Sequence, residues 1–215
     1  MKYAFVIIIL VLVILVILYI NVKSNDNFYQ QESIYPSLNI INKSADNILS
    51  ELNLFDEWIE WPEKDLTNNK PNNKWDVIPI YAFNKWSKHC DKFPITVDIL
   101  KSIPNLRTAG FSRLGPGTEL KKHCGWAKLS NSVLRCHYGL VVPEGDCFIY
   151  CNGEVQKQKN NEWLVFDDSK IHSASNCTSS DRIVLLLDLD RPWWVADGKS
   201  QVETSSELNN FIANM

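Results

Sequence analysis

Residues 133–157, VLRCHYGLVVPEGDCFIYCNGEVQK, contain three short β segments separated by turn residues. The first segment runs from Val133 to Val142 and is ended by a Pro-Glu-Gly-Asp turn. The second runs from Cys147 to Cys151 and is ended by Asn-Gly, a dipeptide typical of two-residue hairpin turns. Glu154 to Lys157 would then pair back on it. Short strands at this spacing predict an antiparallel sandwich or a jelly roll.

The same pattern continues on both sides of this stretch. Leu106 to Leu114 precedes it as a further β segment, and Trp163 to Phe166 and Ile183 to Leu189 follow it. Upstream, apolar residues at helical spacing predict helices over Ser44 to Trp61 and Phe93 to Ile103. The sequence therefore predicts a mainly β domain with flanking helices.

The N-terminal residues differ from the rest of the chain. From Tyr3 to Ile20 no side chain is charged, and most are Ile, Leu or Val. A helix of this length spans about 27 Å, enough to cross a bilayer core, and no small-residue cleavage pattern of a signal peptide follows. We predict a transmembrane signal anchor over 1–22, with membrane contact through 3–22, a linker over 23–43 and the folded domain over 44–215. The positive-inside bias favours a lumenal or extracytoplasmic domain.

The overall charge argues against one class of partner. The net charge is −3, and the sequence contains no long basic run. Nucleic acid is therefore not expected as a partner. The six cysteines show no zinc-finger spacing, and we expect most of them to be free thiols.

Two histidines and one arginine have unusual sequence settings. His123 follows a Gly-Pro-Gly-Thr loop, and His172 comes shortly after a buried-looking strand. Arg182 begins the most apolar strand, where a guanidinium is unfavourable without an anionic partner. That partner could be an internal acid, Asp167 or Asp188, or the carboxylate of a ligand. The residues alone leave both explanations open.

Several motifs in fixed order resemble the aspartyl/asparaginyl β-hydroxylase family. The resemblance covers about Trp75 to Trp194. It rests on Gly115-Pro116-Gly117-Thr118, His123-x-Gly125, Arg135-x-His137-x-Gly139-Leu140-Val141-x-Pro143, Phe166-Asp167-Asp168-Ser169 with His172, and Arg182 running into Asp190-Arg191-Pro192-Trp193. The resemblance implies a double-stranded β-helix, a cupin-like jelly roll with flanking helices, and non-haem Fe(II) at its open end.

The resemblance assigns the metal ligands. His123 and His172 would bind Fe(II), to which neutral imidazole is suited. Most related oxygenases carry a carboxylate two residues after the first histidine. This chain has Gly125 at that place, and the family that it resembles also lacks the carboxylate. We expect the pair Asp167-Asp168 to position the loop that carries His172. We expect His89, which precedes the β-rich region, to be non-catalytic.

The resemblance also implies a binding site for the co-substrate 2-oxoglutarate. Arg182, helped by the Ser112 hydroxyl, would bind its distal carboxylate. Arg135 and His137 would lie near the carboxylate that chelates the metal. Being two apart on one strand, they share a face.

The implied activity is that of a 2-oxoglutarate-dependent dioxygenase that uses O₂. Its substrate would be an Asp, an Asn or another side chain of a protein. The alternatives are a lipid acyl chain or small molecule, or a catalytically inactive, cupin-like binding module. Val133 and Gly110 stand where family enzymes acting on acidic side chains carry basic residues, which weakens an acidic target. Both histidines and Arg182 are retained, which argues against the inactive module.

Overall fold

The computed structural model describes residues 7–11, 23–68 and 73–214. Among these residues, no helix is both long enough and apolar enough to cross a bilayer. The predicted anchor, residues 1–22, lies outside the described residues apart from 7–11, so it stays a prediction.

Strands outnumber helices from residue 23 onward. The strands are β1 (Phe28–Tyr29), β2 (Ile59–Glu60), β3 (Trp75–Ala82), β4 (Lys85–Trp86), β5 (Leu106–Leu114), β6 (Val133–Val141), β7 (Cys147–Cys151), β8 (Glu154–Lys157), β9 (Trp163–Phe166), β10 (His172–Asn176) and β11 (Arg182–Asp190). The α-helices are α1 (Gln31–Ile34), α2 (Asn39–Asn53), α3 (Pro94–Ser102), α4 (Ala127–Ser130) and α5 (Ser206–Ala213). The prediction of a mainly β fold with flanking helices is confirmed.

The large sheet has β11 near its centre. Its strand order is β1-β9-β6-β11-β5-β3-β2, with β4 also paired to β3, and its pairings are antiparallel. In this register Asp188 lies opposite Thr108 of β5 and Arg135 of β6. Because side chains alternate along a strand, Arg182 and Asp188 point to the same face of the sheet.

A smaller sheet has the order β10-β7-β8. Its β7–β8 hairpin turns at Asn152 and Gly153, both with positive φ (47° and 97°), which confirms the hairpin predicted from this dipeptide. The chain before α4 extends this sheet, because Glu119 pairs with Ser175 and His123 pairs with His172.

Apolar side chains fill the space on both faces of the large sheet. The cluster between the two sheets consists of Leu114, Ile149, Cys151, Leu164, Phe166 and Ala174. On the opposite face, Leu185 and Leu187 of β11 pack in the cluster that includes Ile48 of α2 and Leu100 of α3. Alternate residues of β11 therefore serve different faces, and the face toward the small sheet carries Arg182 and Asp188 as well as apolar residues. All six cysteines are free, and all lie in the described residues.

The structure corrects the predicted linker over 23–43. Phe28 pairs with Phe166 across β1 and β9, and Leu38 and Ile41 are fully buried. The helix predicted over 44–61 instead begins at Asn39 and ends at Asn53. Four apolar residues of this segment, Ile34, Tyr35, Leu38 and Ile41, pack in the core. The Asn, Ser and Gln residues among them gave a misleading boundary, because a polar composition does not show which side chains are buried.

Glu51 of α2 holds the start of α3 in place. Its carboxylate accepts hydrogen bonds from the backbone N–H groups of Ile95 (2.7 Å) and Thr96 (2.9 Å) and from the Thr96 hydroxyl (2.7 Å). The first N–H groups of a helix have no partner within the helix, so this buried carboxylate satisfies donors that would otherwise be left unpaired.

We therefore expect Glu51→Ala to lower the free energy of unfolding by about 1–3 kcal/mol. The measurement is chemical denaturation of the full chain. Asp46→Ala is the matched control, because Asp46 is an exposed acid of the same helix and its loss should change stability by less than about 0.5 kcal/mol. Equal losses of unfolding free energy in the two variants would show that the hydrogen bonds of Glu51 do not stabilise the fold.

Candidate active site

His123 and His172 lie side by side in the structure, although they are far apart in the sequence. Their backbones exchange hydrogen bonds in both directions, with N···O distances of 2.9 and 2.8 Å. Their ring centroids are 4.3 Å apart. The antiparallel bridge between the segment before α4, which carries His123, and the start of β10, which carries His172, therefore brings the two predicted ligands together.

Each ring is held by its Nδ1 atom. Nδ1 of His123 lies 2.8 Å from the Lys121 carbonyl oxygen, and Nδ1 of His172 lies 2.9 Å from that of Lys170. A carbonyl only accepts, so Nδ1 carries the hydrogen, and in a neutral ring Nε2 presents its lone pair. Burial, and then the neighbouring His123, lower the pKa of His172 well below its ordinary value. A neutral imidazole with a free Nε2 is the form that binds a metal.

Asp168 lies against this pair in the space beside Gly125. A Cβ atom at residue 125 would lie 1.8 Å from Oδ2 of Asp168, so only glycine fits there. Oδ1 of Asp168 is 3.2 Å from Nε2 of His172. With His172 neutral, both atoms are acceptors, and a cation near them would turn an unfavourable contact into a favourable one.

No group of three or more His, Cys, Asp and Glu side chains suited to a metal occurs among the described residues. The two imidazoles are the predicted ligands that the structure brings together.

Arg135 fixes the position of Asp168. Its Nη1 atom lies 2.5 Å from Oδ1 of Asp168, while Nε and Nη2 donate to the two oxygens of Asp188 at 2.9 and 3.0 Å. The Thr108 hydroxyl also donates to Asp188. Burial acts to lower the pKa of Arg135, but Asp168 and Asp188 outweigh it and raise that pKa. These contacts make Arg135 a positioning group, and its predicted place beside the chelating carboxylate of a co-substrate stays a prediction.

Arg182 is in the opposite situation. It is 2% exposed, and in the part of the chain that the structure describes neither Asp167 nor Asp188 pairs with it, because both acids bind other arginines. Its recorded partner is Oε1 of Gln158 at 3.5 Å, and its Nε atom has no partner among the described residues. Burial lowers the pKa of Arg182 to about 10. The internal-acid explanation is excluded for these residues, and a carboxylate ligand remains.

Other buried polar groups surround Arg182. Within the described ranges, both ring nitrogens of His137 and Nε2 of Gln158 have no hydrogen-bond partner. Burial, and then Arg182, lower the pKa of His137 well below its ordinary value, so its ring is neutral. Ser112 of β5 lies opposite Val184, the second residue after Arg182 on the same face, and its hydroxyl accepts from Trp75 (3.1 Å).

The sequence prediction missed Gln158. It follows β8 in a polar hairpin with lysines on both sides, and nothing in that composition indicates that its side chain is 2% exposed. The sole hint is its place just after a strand of the hairpin.

One aromatic ring, that of Phe166, lies beside both His137 and His172. Phe166 packs edge-on against His137, with ring centroids 5.2 Å apart, and lies 5.5 Å from His172. The structure therefore brings His123, His172 and His137 to one region between the two sheets.

A cavity of about 250 Å³ opens at His123, Arg135 and Asp168. Beyond these groups its wall is mostly apolar. Trp61 stacks between Trp75 and Trp126 in this wall, with ring centroids 4.7 and 5.8 Å away. The space that opens at His123 is therefore largely apolar.

The remaining sequence candidates lie elsewhere or have structural contacts. His89 is buried and packs edge-on against Phe55, with centroids 5.1 Å apart. Asp167 accepts from the backbone N–H and hydroxyl of Ser169 and pairs with Arg191. These contacts hold the loop that leads to His172, as expected for a positioning role.

The comparisons with known proteins agree with these observations. The family model described as aspartyl/asparaginyl beta-hydroxylase matches residues 39–192, well over half of the chain. The protein belongs to this family, and the resemblance found in the motifs is confirmed.

Individual relatives differ in what their names describe. The chain is 33% identical to the ornithine lipid ester-linked acyl 2-hydroxylase of Rhizobium tropici, over 60% of this chain and 46% of that protein. It is 32% identical to aspartate beta-hydroxylase domain-containing protein 2 of Homo sapiens, over 58% and 36%. It is 29% identical to the aspartyl/asparaginyl beta-hydroxylase of Homo sapiens, over 58% and 17%. The chain spans less than half the length of each of these relatives.

Because Arg182 is buried without an anionic partner among the described residues, we expect Arg182→Met to raise the free energy of unfolding by about 1–4 kcal/mol. The measurement is chemical denaturation in a buffer without small carboxylates. Arg113→Met is the matched control. It should lower the free energy of unfolding, because it leaves the buried Asp76 without its ion-pair partner. A loss of stability in Arg182→Met would mean that the guanidinium is already paired.

Proposed function

We propose that the protein is an Fe(II)- and 2-oxoglutarate-dependent hydroxylase whose substrate has an apolar chain. The observation that carries this proposal is the pair of imidazoles, with a buried arginine between the same two sheets that lacks an anionic partner among the described residues. Membership of the β-hydroxylase family supports it. We further infer that the two antiparallel sheets form a double-stranded β-helix, with the histidine pair at its open end.

The residues present fit a ferrous ion. His123 and His172 would hold it through Nε2, because Nδ1 of each ring is bound to a backbone carbonyl. Asp168, held by Arg135, adds negative charge beside this position. Bound Fe(II) together with 2-oxoglutarate would supply the O₂ activation needed to hydroxylate a C–H bond.

The residues present also fit a dicarboxylate co-substrate. Arg182 would bind the distal carboxylate through its guanidinium fork, and the Ser112 hydroxyl would donate to the same group. An anion there would neutralise a charge that burial now leaves uncompensated. His137 presents two unpaired ring nitrogens nearby, and with Arg135 it remains our candidate for the region of the other carboxylate.

The lining of the cavity favours a hydrocarbon chain over an acidic side chain. Gly110, where a basic residue would be needed, lies so close to β3 that a Cβ atom would be 2.8 Å from the Ile78 carbonyl oxygen. The wall near His123 carries aromatic rings, and the arginine that lines it, Arg135, is already paired with Asp168 and Asp188. A lipid acyl chain or an apolar small molecule is therefore our first choice, and the name of the Rhizobium tropici relative supports it. An Asp- or Asn-containing protein remains the second choice.

A membrane location would suit a lipid substrate. The anchor predicted over residues 1–22 would hold the domain at a bilayer, on the lumenal or extracytoplasmic side. Both statements stay predictions from the sequence.

The proposed cofactor chemistry predicts that the full chain, supplied with Fe(II) and O₂, converts 2-oxoglutarate to succinate. His123→Ala and His172→Ala should each lower this rate by about 100-fold or more, because each removes one of two protein ligands. His89→Gln is the control and should keep the wild-type rate, since His89 packs against Phe55 away from the pair. Absence of succinate from the wild type would leave the inactive binding module as the explanation.

The proposed substrate class predicts a 2-oxoglutarate-dependent mass increase of one oxygen atom in the lipid extract of cells that express the chain. Co-expressed EGF-like domains, measured in the same cells, should stay unmodified, because the cavity offers an acidic side chain no basic partner at Gly110. His172→Ala is the blank for both assays. Modification of the EGF-like domain alone would reverse the choice of substrate.

A further inference from the structure

Helix α5 lies outside residues 39–192, the part of the chain that matches the family. Three of its apolar residues, Leu208, Phe211 and Ile212, nevertheless line the cavity that opens at His123. This wall of the cavity is therefore built by a segment that the family match does not include.

The start of α5 is tied to the rest of the site. The Glu63 carboxylate accepts hydrogen bonds from the Trp126 indole (3.2 Å) and from the Ser205 hydroxyl (2.8 Å). The same hydroxyl accepts from the backbone N–H of Leu208 (3.1 Å) and so caps the helix. Just upstream, the N–H of Ala127 donates to the Val202 carbonyl. These contacts fix the helix against the aromatic wall of the cavity.

Phe211 occupies a particular place in this wall. Its ring lies on Trp61, with centroids 5.9 Å apart. It also lines a second cavity, of about 340 Å³, whose other lining residues include His89 and Asn210. Phe211 and Pro79 line both cavities, so Phe211 lies at the boundary between a space that His123 lines and a space that neither His123 nor His172 lines.

We propose that Phe211 sets the length of the apolar chain that the cavity accepts. The inference rests on the proposed function, because it takes the first cavity as the place of the substrate's hydrocarbon part. A chain that grows from His123 toward α5 gains affinity with each buried methylene group, by about fourfold per group. When the chain end reaches Phe211, further groups find no space, and the gain stops. Removing the ring would join the two cavities and let the gain continue.

The test is a binding series with saturated, unbranched alkanoates of increasing length, below their critical micelle concentrations. Binding to the full chain is followed by isothermal calorimetry. In the wild type, affinity should rise by about fourfold per methylene group and then level off at a defined length. In Phe211→Ala the levelling point should move to longer chains by two or more methylene groups. In Phe211→Trp it should move to shorter chains.

Asn210→Ala is the matched control, because Asn210 lies next to Phe211 on the same helix and lines the second cavity without lining the first. Its levelling point should equal that of the wild type. Thermal denaturation of each variant establishes that it is folded.

Three outcomes would overturn the inference. They are the same levelling point in the wild type, Phe211→Ala and Phe211→Trp; a shift produced equally by Asn210→Ala; and no alkanoate binding by the folded wild type. The succinate assay is separate from these measurements. A chain that binds alkanoates with a levelling point that follows residue 211, but makes no succinate, would keep the inference about length and reject the hydroxylase.

Discussion

The antiparallel pairing of β11 with β5 and β6 is the constraint on which the site depends. This register places Asp188 opposite Thr108 and Arg135, and it sends Arg182 to the same face. The intervening residues, Leu185 and Leu187, go to the helical side and pack there. Because the side-chain period of a strand is two, a slip of one residue would exchange the polar and apolar faces. The apolar core against α2 and α3 therefore fixes the positions of the charged groups on the opposite face.

The two arginines of that face illustrate two ways to bury a cation. Arg135 binds two carboxylates, and Asp168 and Asp188 keep it charged despite its burial. Among the residues that the structure describes, the partner of Arg182 is an amide oxygen at 3.5 Å, and burial lowers the pKa of Arg182. A fully paired arginine stabilises the fold. An arginine left unpaired within the described residues is an unfavourable buried charge, which a ligand carboxylate would neutralise. This contrast is the reason that Arg182, and not Arg135, is the candidate for binding a carboxylate.

Local signals in the sequence predicted much of the fold but only part of the site. The Asn-Gly dipeptide fixed the β7–β8 hairpin because both of its residues tolerate positive φ. The meeting of His123 and His172 came from the order of family motifs, since no spacing rule relates residues on two separate strands. The sequence prediction placed a linker wrongly, and it missed the burial of Gln158 and the place of α5 in the cavity wall. These three errors share one cause. Each depends on long-range packing, which decides burial and which a polar local composition conceals.

The relation between Gly125 and Asp168 shows how such packing places a carboxylate beside the histidine pair. A carboxylate at residue 125 would approach the histidine pair from the same loop as His123. Here the backbone N–H of Gly125 donates to the Asp168 carbonyl, and the Asp168 side chain fills the space that a side chain at 125 would need. That carboxylate is in turn held by Arg135, whose guanidinium is fixed by Asp188 of β11. The carboxylate beside the imidazoles is thus held in place through the central strand of the sheet, and it occupies the space that a side chain at residue 125 would fill.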